Sequence, residues 1–521
     1  MNTQKFAVSA CAAVLLGSSA AHAASDCAAL MKAALPGAST TISKAEEIPM
    51  GPMPPVPGAP PGAPTMTAQL PAHCRVDGVI GAHTGPDGKH YGIHFALAMP
   101  AQWNGRLLYQ GGGGLNGSVQ PPVGATAAGD TPALVRGFAV VSSDSGHTGS
   151  VFDSSFFADQ QAALDFLNQS IGKVMAVARP LVAAHYGKDA AHSYFVGCST
   201  GGREAMMSAQ RYPTLFDGIV AGSPAMRTNY SNLALAWISA ALDSVAPKDE
   251  QGHYQTAKAL SDSDRKLVVA GLLKRCDALD GIQDGMIFNT RGCDFDPQVL
   301  QCKGEKTDGC LSGGQVQAIK KAFAGPRSVS GRQIYPGYAY DTGIGVRGTG
   351  IPGLLSGGTI PVAAPPGGAA LDFDALAAGA HNAVEMAGDS DAWTNLSSFN
   401  GHGGKLIFFH GMSDPWFSAL DTVGYYQRLQ ADNGRGPVGV WSRLFLVPGM
   451  GHCGGGEATL DHFDMLTAIV DWVEQGRAPA QVTATGRAFP GRSRPLCAYP
   501  QHAQYNGSGD SEVAANFSCR D

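Results

Sequence analysis

Short apolar runs bounded by polar or glycine-containing segments recur along this chain. Continuous apolar runs of four to eight residues are typical of strands buried in a sheet. Six short, mainly apolar segments predict strands, and the last two of them are continuous apolar runs. They are Ile93–Ala98, Arg106–Gln110, Phe138–Ser142, Ser193–Val196, Leu406–His410 and Leu444–Val447.

Three other segments carry apolar side chains at helical spacing. Residues 158–186 place Ala162, Phe166, Ile171, Val174 and Leu181 on one face, which predicts one long helix. Residues 201–211 and Asp461–Gln475 predict two more helices. Strands that alternate with helices indicate an α/β fold with a mostly parallel sheet.

This alternation stops between residues 226 and 400. Glycine and proline are frequent there, and signals for strands are weak. We therefore expect a lid domain at 226–400, inserted into a catalytic domain that comprises 24–225 and 401–521. The Pro/Gly-rich stretch 49–65 suits neither helix nor sheet interior, and we expect a surface loop there.

The first residues have the pattern of a secretory signal peptide. Lys5 precedes the apolar core Phe6–Gly17, and Ala21-His22-Ala23 forms a small-residue cleavage site. We expect removal of residues 1–23 and a secreted or periplasmic mature protein. No later run reaches the ~18 apolar residues of a membrane span. A net charge of −6 with 15% charged residues argues against a nucleic-acid partner.

Ten cysteines remain after Cys11 leaves with the signal, and an even number in an exported protein indicates disulfides. Proximity along the chain favours pairs within 276–293, 302–310 and 497–519, with Cys27–Cys74 next. Cys198 and Cys453 are then left over. Proximity does not prove this pairing, since ten cysteines allow hundreds of combinations, and free buried thiols are the alternative.

The pentapeptide Gly197-Cys198-Ser199-Thr200-Gly201 lies between a predicted strand and a predicted helix. This G-x-S-x-G pattern in that context predicts a sharp turn that exposes the serine hydroxyl. An ordinary tight turn is the alternative. As a nucleophile, Ser199 needs a base within hydrogen-bond reach and an acid that orients the base.

Asp414 and His452 are the candidates for the acid and the base. Each follows a predicted buried strand, and their order along the chain, Ser then Asp then His, is that of α/β-hydrolases. His410 is a competing base, but it precedes the acid. Asp421 is a competing acid on a predicted helix. A turn-capping role for Asp414 and a structural role for His452 are the alternatives.

Two further sets of residues suit the same chemistry. The backbone N–H of Thr200, together with Gly113 or Gly114 of the Gly111–Gly114 run, could stabilise a developing oxyanion. Trp416 and Phe417 follow the candidate acid and could line a pocket for an aromatic acyl group, although core packing would also explain them.

An acidic loop at 276–287 clusters Asp277, Asp280 and Asp284 between glycines. Clustered carboxylates repel one another unless a cation neutralises them, and hard oxygen ligands suit Ca²⁺. The backbone carbonyls of Ile282 and Met286 could complete the shell. The spacing is not that of an EF-hand, and a solvated acidic turn is the alternative.

Taken together, the motifs GCSTGGR at 197–203, HGMSDP at 410–415, GHCGGG at 451–456 and CDALDGIQDG at 276–285 resemble the tannase and feruloyl esterase family. The resemblance implies an α/β-hydrolase core, a lid with a structural calcium ion, and an active-site disulfide between Cys198 and Cys453. It also implies the triad Ser199, Asp414 and His452.

The activity that follows is serine-dependent hydrolysis of aromatic carboxylic esters, with hydroxycinnamoyl esters first and galloyl or terephthalate half-esters as alternatives. The substrate would be a small aromatic ester, which plant polymers could supply. A peptidase or amidase, and a non-catalytic calcium-stabilised protein that binds phenolic polymers, are the competing hypotheses.

Overall fold

The structure is a computed structural model that describes residues 26–36, 39–55, 67–346, 353–356 and 371–521. The predicted signal peptide, Cys11 and most of the Pro/Gly-rich stretch lie outside these residues. Its strands, in chain order, are β1 Thr40–Ile48, β2 Gly51–Pro52, β3 Gln69–Leu70, β4 His73–Thr84, β5 His90–Pro100, β6 Arg106–Gln110, β7 Ala139–Ser143, β8 His192–Cys198, β9 Gly218–Gly222, β10 Lys405–Gly411, β11 Ser442–Val447, β12 His462–Phe463, β13 Gln481–Thr485, β14 Ser493–Cys497, β15 His502–Tyr505 and β16 Phe517–Arg520.

Most of the helices lie between strands of the main sheet or in the segment between β9 and β10. In chain order they are α1 Gln160–Leu164, α2 Ser170–Tyr186, α3 Thr200–Arg211, α4 Thr228–Asp243, α5 Asp262–Cys276, α6 Gly313–Ala324, α7 Phe373–Ala380, α8 Ala383–Gly388, α9 Ser397–Gly401, α10 Ala419–Asn433, α11 Arg435–Val438 and α12 Met465–Gln475.

Nine strands form the central sheet in the order β1-β4-β5-β7-β6-β8-β9-β10-β11. The six strands from β7 to β11 run parallel to one another. β1, β4 and β5 extend the sheet as an antiparallel edge. All six predicted strands are present, and the prediction of a mostly parallel sheet is confirmed.

Two predicted helices differ from the structure. The long helix at 158–186 is divided, because a π-helical turn at Asp165–Gln169 separates α1 from α2. The last helix begins at Met465, four residues later than predicted. His462–Phe463 pairs with β13 as a short strand instead. The side chain of Asp464 accepts a hydrogen bond from the N–H of Thr467 and so caps the helix.

Apolar side chains fill both faces of the sheet. In β6, Leu107 and Tyr109 belong to the cluster that includes α2, whereas Leu108 belongs to the cluster that includes Ile469 and Trp472 of α12. Successive side chains of a strand point to opposite faces. The continuous apolar run of β6 therefore reflects a strand covered by helices on both sides.

The segment between β9 and β10 contains α4 to α9 and, in its described part, no strand of the main sheet. It has an apolar cluster of its own, which includes Leu242, Val268, Val316, Ile319 and Tyr335. The boundaries at residues 226 and 400 stay a prediction.

Five disulfides connect the cysteines of the described residues. They are Cys27–Cys74, Cys198–Cys453, Cys276–Cys293, Cys302–Cys310 and Cys497–Cys519. These are the pairings that proximity favoured, with the two left-over cysteines joined across 255 residues of chain. Among the described helices, none has the length and apolar character that crossing a bilayer requires.

Candidate active site

Four loops that contain predicted site residues follow the carboxyl ends of parallel strands. Gly111 follows β6, Ser199 follows β8, Asp414 lies three residues after β10, and His452 lies five residues after β11. These strands are close neighbours in the sheet. Since the carboxyl ends of parallel strands share one edge, the topology brings the four loops to one end of the sheet.

Ser199 lies at the turn between β8 and α3 in a backbone conformation that non-glycine residues rarely adopt, with φ 64° and ψ −123°. The N–H of Ser199 donates to the carbonyl of Gly222 at 3.0 Å, and its carbonyl accepts from Ala225 N–H at 3.0 Å. A Cβ at position 197 would lie 2.5 Å from the Gly201 carbonyl oxygen. The glycine of the motif therefore allows the tight turn, and neighbouring hydrogen bonds hold the strained serine.

The carboxylate of Asp414 lies against the imidazole of His452, with 2.7 Å between Oδ2 and Nδ1. Asp414 is 1% exposed and His452 is 7% exposed. Burial alone would raise the pKa of Asp414. His452 and His410 more than offset this, so that its pKa lies well below the ordinary value. Asp414 is therefore an ionised acceptor that orients the His452 ring.

The other ring nitrogen of His452, Nε2, is buried and has no hydrogen-bond partner among the described residues. A disulfide joins Cys198, the residue before Ser199, to Cys453, the residue after His452, with 6.0 Å between their Cα atoms. The loop that contains Ser199 and the loop that contains His452 are thus adjacent in space. An imidazole held at Nδ1 and unpaired at Nε2 has the arrangement that a general base requires.

The two competing candidates, His410 and Asp421, are engaged in other hydrogen bonds and ion pairs. Nε2 of His410 lies 3.0 Å from the carbonyl oxygen of Phe417, which can only accept, so Nε2 carries the proton. Its Nδ1 lies 2.9 Å from the hydroxyl of Thr422, and the ring is fully buried. Asp421 lies on α10 and pairs with Arg227. Nε2 of His410 also lies 3.3 Å from Oδ2 of Asp414, so this ring contacts the carboxylate as well.

The Gly111–Gly114 loop is bound to the first turn of α3. Gly201 N–H donates to the carbonyl of Gly112 at 3.1 Å, and the hydroxyl of Thr200 donates to the carbonyl of Gly114. A Cβ built on Gly113 would meet no atom within 4 Å, whereas one on Gly114 would lie 2.3 Å from Val151. Of the two predicted glycines, Gly113 faces open space beside the nucleophile turn.

Trp416 and Phe417 both contact the ring of His452, at centroid distances of 5.0 and 5.3 Å. Both are half-buried, and their backbone N–H groups donate to Oδ1 of Asp414. Phe152, which sequence reasoning missed, packs edge-on against Trp416 at 6.4 Å and is 55% exposed. An apolar wall thus extends from His452 to the surface.

In the acidic loop, backbone N–H groups bond to all three carboxylates. Gly285 N–H donates to Asp277, Phe288 N–H donates to Asp280, and Met286 N–H donates to Asp284. Ile282 N–H also points to Asp280. Arg494 of β14 pairs with Asp284.

Burial, followed by repulsion from neighbouring carboxylates, raises the pKa of Asp277 and raises the pKa of Asp280 to about 7. Asp284 pairs with Arg494 and lies 3.7 Å from Arg492, whereas Asp277 and Asp280 form no salt bridge in the described structure. The carboxylate oxygens that suit a cation are therefore mainly those of Asp277 and Asp280. In the described structure, the oxygens of Asp277, Asp280 and Asp284 do not all lie within 4.8 Å of one another.

Asp341 is a second residue that sequence reasoning missed. It is fully buried, and its Oδ2 accepts from the hydroxyl of Ser413 at 2.7 Å and from Gly449 N–H at 2.6 Å. It therefore connects the segment before β10 to the loops that contain Asp414 and His452. A single aspartate in a glycine-rich segment carries no sequence signal for this role.

The fold with the nucleophile turn and the Asp–His pair defines an α/β-hydrolase. A family model described as "Tannase and feruloyl esterase" matches residues 74–353 and 370–520. The chain is 41% identical over 518 residues to the mono(2-hydroxyethyl) terephthalate hydrolase of Piscinibacter sakaiensis, covering 87% of this chain and 85% of that one. It is 32% identical to a probable feruloyl esterase B of Aspergillus clavatus, covering 79% and 80% of the two chains.

Solved structures give the same result for the fold. An esterase from Aspergillus oryzae superposes with a TM-score of 0.76 at 26% identity, covering 95% of this chain and 99% of that one. Feruloyl esterase B from the same organism superposes with a TM-score of 0.76 at 24% identity and the same coverage. The chain belongs to the tannase and feruloyl esterase family and is a carboxylic ester hydrolase.

Proposed function

We propose that the protein hydrolyses aromatic carboxylic esters through an acyl-enzyme on Ser199. The single observation that carries this proposal is the buried Asp414–His452 pair, whose unpartnered Nε2 belongs to a loop linked by a disulfide to the nucleophile turn. His452 takes the proton of Ser199 as Oγ attacks the ester carbonyl, and Asp414 holds the required tautomer. The backbone N–H groups of Thr200 and Gly113 stabilise the oxyanion.

The same groups complete both halves of the reaction. To end the first half, protonated His452 gives its proton to the leaving alcohol, and the acyl group stays on Ser199. His452 then deprotonates a water molecule, which attacks the acyl carbonyl, and Ser199 recovers its proton as the aromatic acid leaves.

The aromatic wall supports a planar aromatic acyl group. Trp416 and Phe417 lie against His452, and Phe152 continues the wall outward. Hydroxycinnamoyl esters are our first candidate, and galloyl esters remain an alternative. Similarity to a mono(2-hydroxyethyl) terephthalate hydrolase favours a terephthalate half-ester as the second candidate.

Asp277, Asp280 and Asp284, with the backbone carbonyls of Ile282 and Met286, would hold a structural Ca²⁺. The ion would neutralise the repelling carboxylates and stiffen a loop closed by Cys276–Cys293. We also infer export to an oxidising compartment, since structural disulfides form and persist mainly there. Residues 1–23 would then be removed.

A covalent label tests the assignment of the nucleophile. A fluorophosphonate probe should modify Ser199 in the wild-type protein, and peptide mapping should find the adduct there. Ser199→Ala should neither be labelled nor turn over methyl ferulate, while its circular dichroism stays unchanged. A non-catalytic phenolic-binding protein would bind the ester without labelling or turnover.

A substrate panel separates the acyl groups. Rates with methyl ferulate, methyl gallate, a terephthalate half-ester and the anilide of ferulic acid should rank one aromatic ester first. The anilide should be slower than every ester that is turned over. A faster anilide would make the protein an amidase and overturn the proposal.

A further inference from the structure

Glu204 is a buried carboxylate that the acyl-transfer roles above do not use. It lies on α3, five residues after Ser199, and is only 2% exposed. Its side chain points to the Gly111–Gly114 loop rather than along its own helix, as its hydrogen bonds show. Burial of a carboxylate costs free energy of folding unless its oxygens accept hydrogen bonds from nearby donors.

Three donors satisfy this carboxylate. Gly112 N–H donates to Oε2 at 2.9 Å. The side-chain amide of Asn116 and the hydroxyl of Ser145 donate to Oε1 at 2.8 and 3.0 Å. Asn116 and Ser145 both have positive φ, 54° and 65°. The hydrogen bonds to Glu204 therefore join two strained turns to the helix that carries the nucleophile.

The contact with Gly112 fixes the direction of a neighbouring N–H. The N–H of Gly112 donates to the Glu204 carboxylate, and the carbonyl of Gly112 accepts from Gly201 N–H at 3.1 Å. Both peptide planes that flank Gly112 are thus fixed. The N–H of Gly113 shares the second plane with the Gly112 carbonyl, so its direction is set as well, since the peptide unit is rigid and planar.

We propose that Glu204 is a positioning residue of the oxyanion hole, which acts by holding Gly112 so that Gly113 N–H faces the developing negative charge. This inference rests on the proposed function. A carboxylate is suited to the position because both of its oxygens only accept, and both face donors. A glutamine would present an N–H₂ group either to Gly112 N–H or to the Asn116 and Ser145 donors, and one of these contacts would become repulsive.

Glu204→Gln tests the proposal, with Ser208→Ala as a matched control. Ser208 is a fully buried residue of the same helix whose hydroxyl donates to the backbone carbonyl of Glu204, not to the loop. The measurements are kcat and KM for methyl ferulate, Ki for phenylboronic acid and Ki for ferulate. A boronic acid forms a tetrahedral adduct with a serine and reports on the oxyanion hole, whereas ferulate reports on the acyl pocket.

We expect Glu204→Gln to lower kcat by about tenfold or more, because removing one oxyanion donor outright costs about 10²–10³-fold. Ki for phenylboronic acid should rise by a similar factor. KM and Ki for ferulate should stay within about twofold, and Ser208→Ala should keep wild-type values. Wild-type kcat and boronate affinity in Glu204→Gln would overturn the proposal, as would a loss shared equally by all four constants.

Ser145→Ala provides a second variant should Glu204→Gln fail to fold. It removes one donor and leaves the carboxylate in place, and we expect a smaller fall in kcat with the same unchanged KM. An unaltered kcat in Ser145→Ala, when Glu204→Gln does not fold, would also overturn the proposal. A wild-type protein without esterase activity would instead refute the proposed function, so the two failures are distinguishable.

Discussion

Nδ1 of His452 lies 2.7 Å from Oδ2 of Asp414, although 38 residues separate them in the chain. The same carboxylate accepts backbone N–H groups at its other oxygen, from Trp416 at 2.9 Å and Phe417 at 3.1 Å. The two aromatic residues that contact the His452 ring therefore also hold the Asp414 carboxylate. Under the proposed mechanism, binding of the aromatic acyl group and activation of Ser199 both depend on this one short turn.

Asp414→Asn should lower kcat by about 10³–10⁴-fold, because an amide can donate to Nδ1 and so stabilise the wrong tautomer of His452. Its KM should change little, since the side chain does not reach the surface. Steady-state kinetics with methyl ferulate check this. A loss of less than tenfold would remove Asp414 from the triad.

The stability of the wild-type protein should fall with acidification below about pH 4, in part through Asp414. Its folded-state pKa is lowered, despite burial, by the two histidines. The unfolded state therefore binds more protons than the folded state as pH falls through the ordinary range of about 3.9 and below, and stability rises with pH there. Guanidinium unfolding from pH 3 to 5 should give a shallower pH dependence for Asp414→Asn than for the wild type. Equal slopes would contradict the lowered pKa.

Removing the disulfide between the Ser199 and His452 loops should lower kcat, while the circular dichroism spectrum stays that of the wild type. In a Cys198→Ala/Cys453→Ala variant, His452 loses its covalent link to the nucleophile turn, and a misplacement of about 1 Å can cost 10²-fold. The Cys302→Ala/Cys310→Ala variant is the control, because that bridge closes only a short loop before α6. Equal kcat in both variants would show that the link does not position His452.

Chelation should destabilise the protein if the acidic loop binds calcium. We expect EGTA to lower Tm by several degrees, since a ligand at 100 times its Kd contributes about 2.7 kcal/mol. Added Ca²⁺ should restore the Tm, and Asp280→Asn should remove the response. Asp294→Asn changes an exposed carboxylate that pairs with Arg275, and it should respond like the wild type. A wild-type Tm indifferent to EGTA and Ca²⁺ would reject the site.

Phe152→Ala should raise KM for methyl ferulate by about 2- to 10-fold, because an aromatic contact contributes about 0.5–1.5 kcal/mol. KM for 4-nitrophenyl acetate should stay the same, since an acetyl group does not reach the outer wall. Trp393→Ala removes another exposed aromatic side chain, whose indole donates to Asn395, and serves as the control. Equal shifts for both esters would exclude a role in recognising the aromatic ring.

Local pattern determined the elements and the candidate chemistry. β6, β8, β10 and β11 were predictable because a strand buried on both faces is a continuous apolar run. The Ser199 turn was predictable because its glycines fit a backbone that leaves no room for a Cβ. In the long helix, periodicity could not show the π-helical turn at Asp165–Gln169, since the apolar stripe continues through it.

Only the tertiary structure decided which polar groups meet. His410 and His452 look alike as candidate bases, and they differ because one has both nitrogens engaged while the other keeps Nε2 unpaired. Glu204 and Asp341 gave no signal, because a buried carboxylate is defined by the donors that converge on it. Those donors come from segments that are distant in the chain, and the spacing of residues in the sequence does not show which loops the sheet brings together.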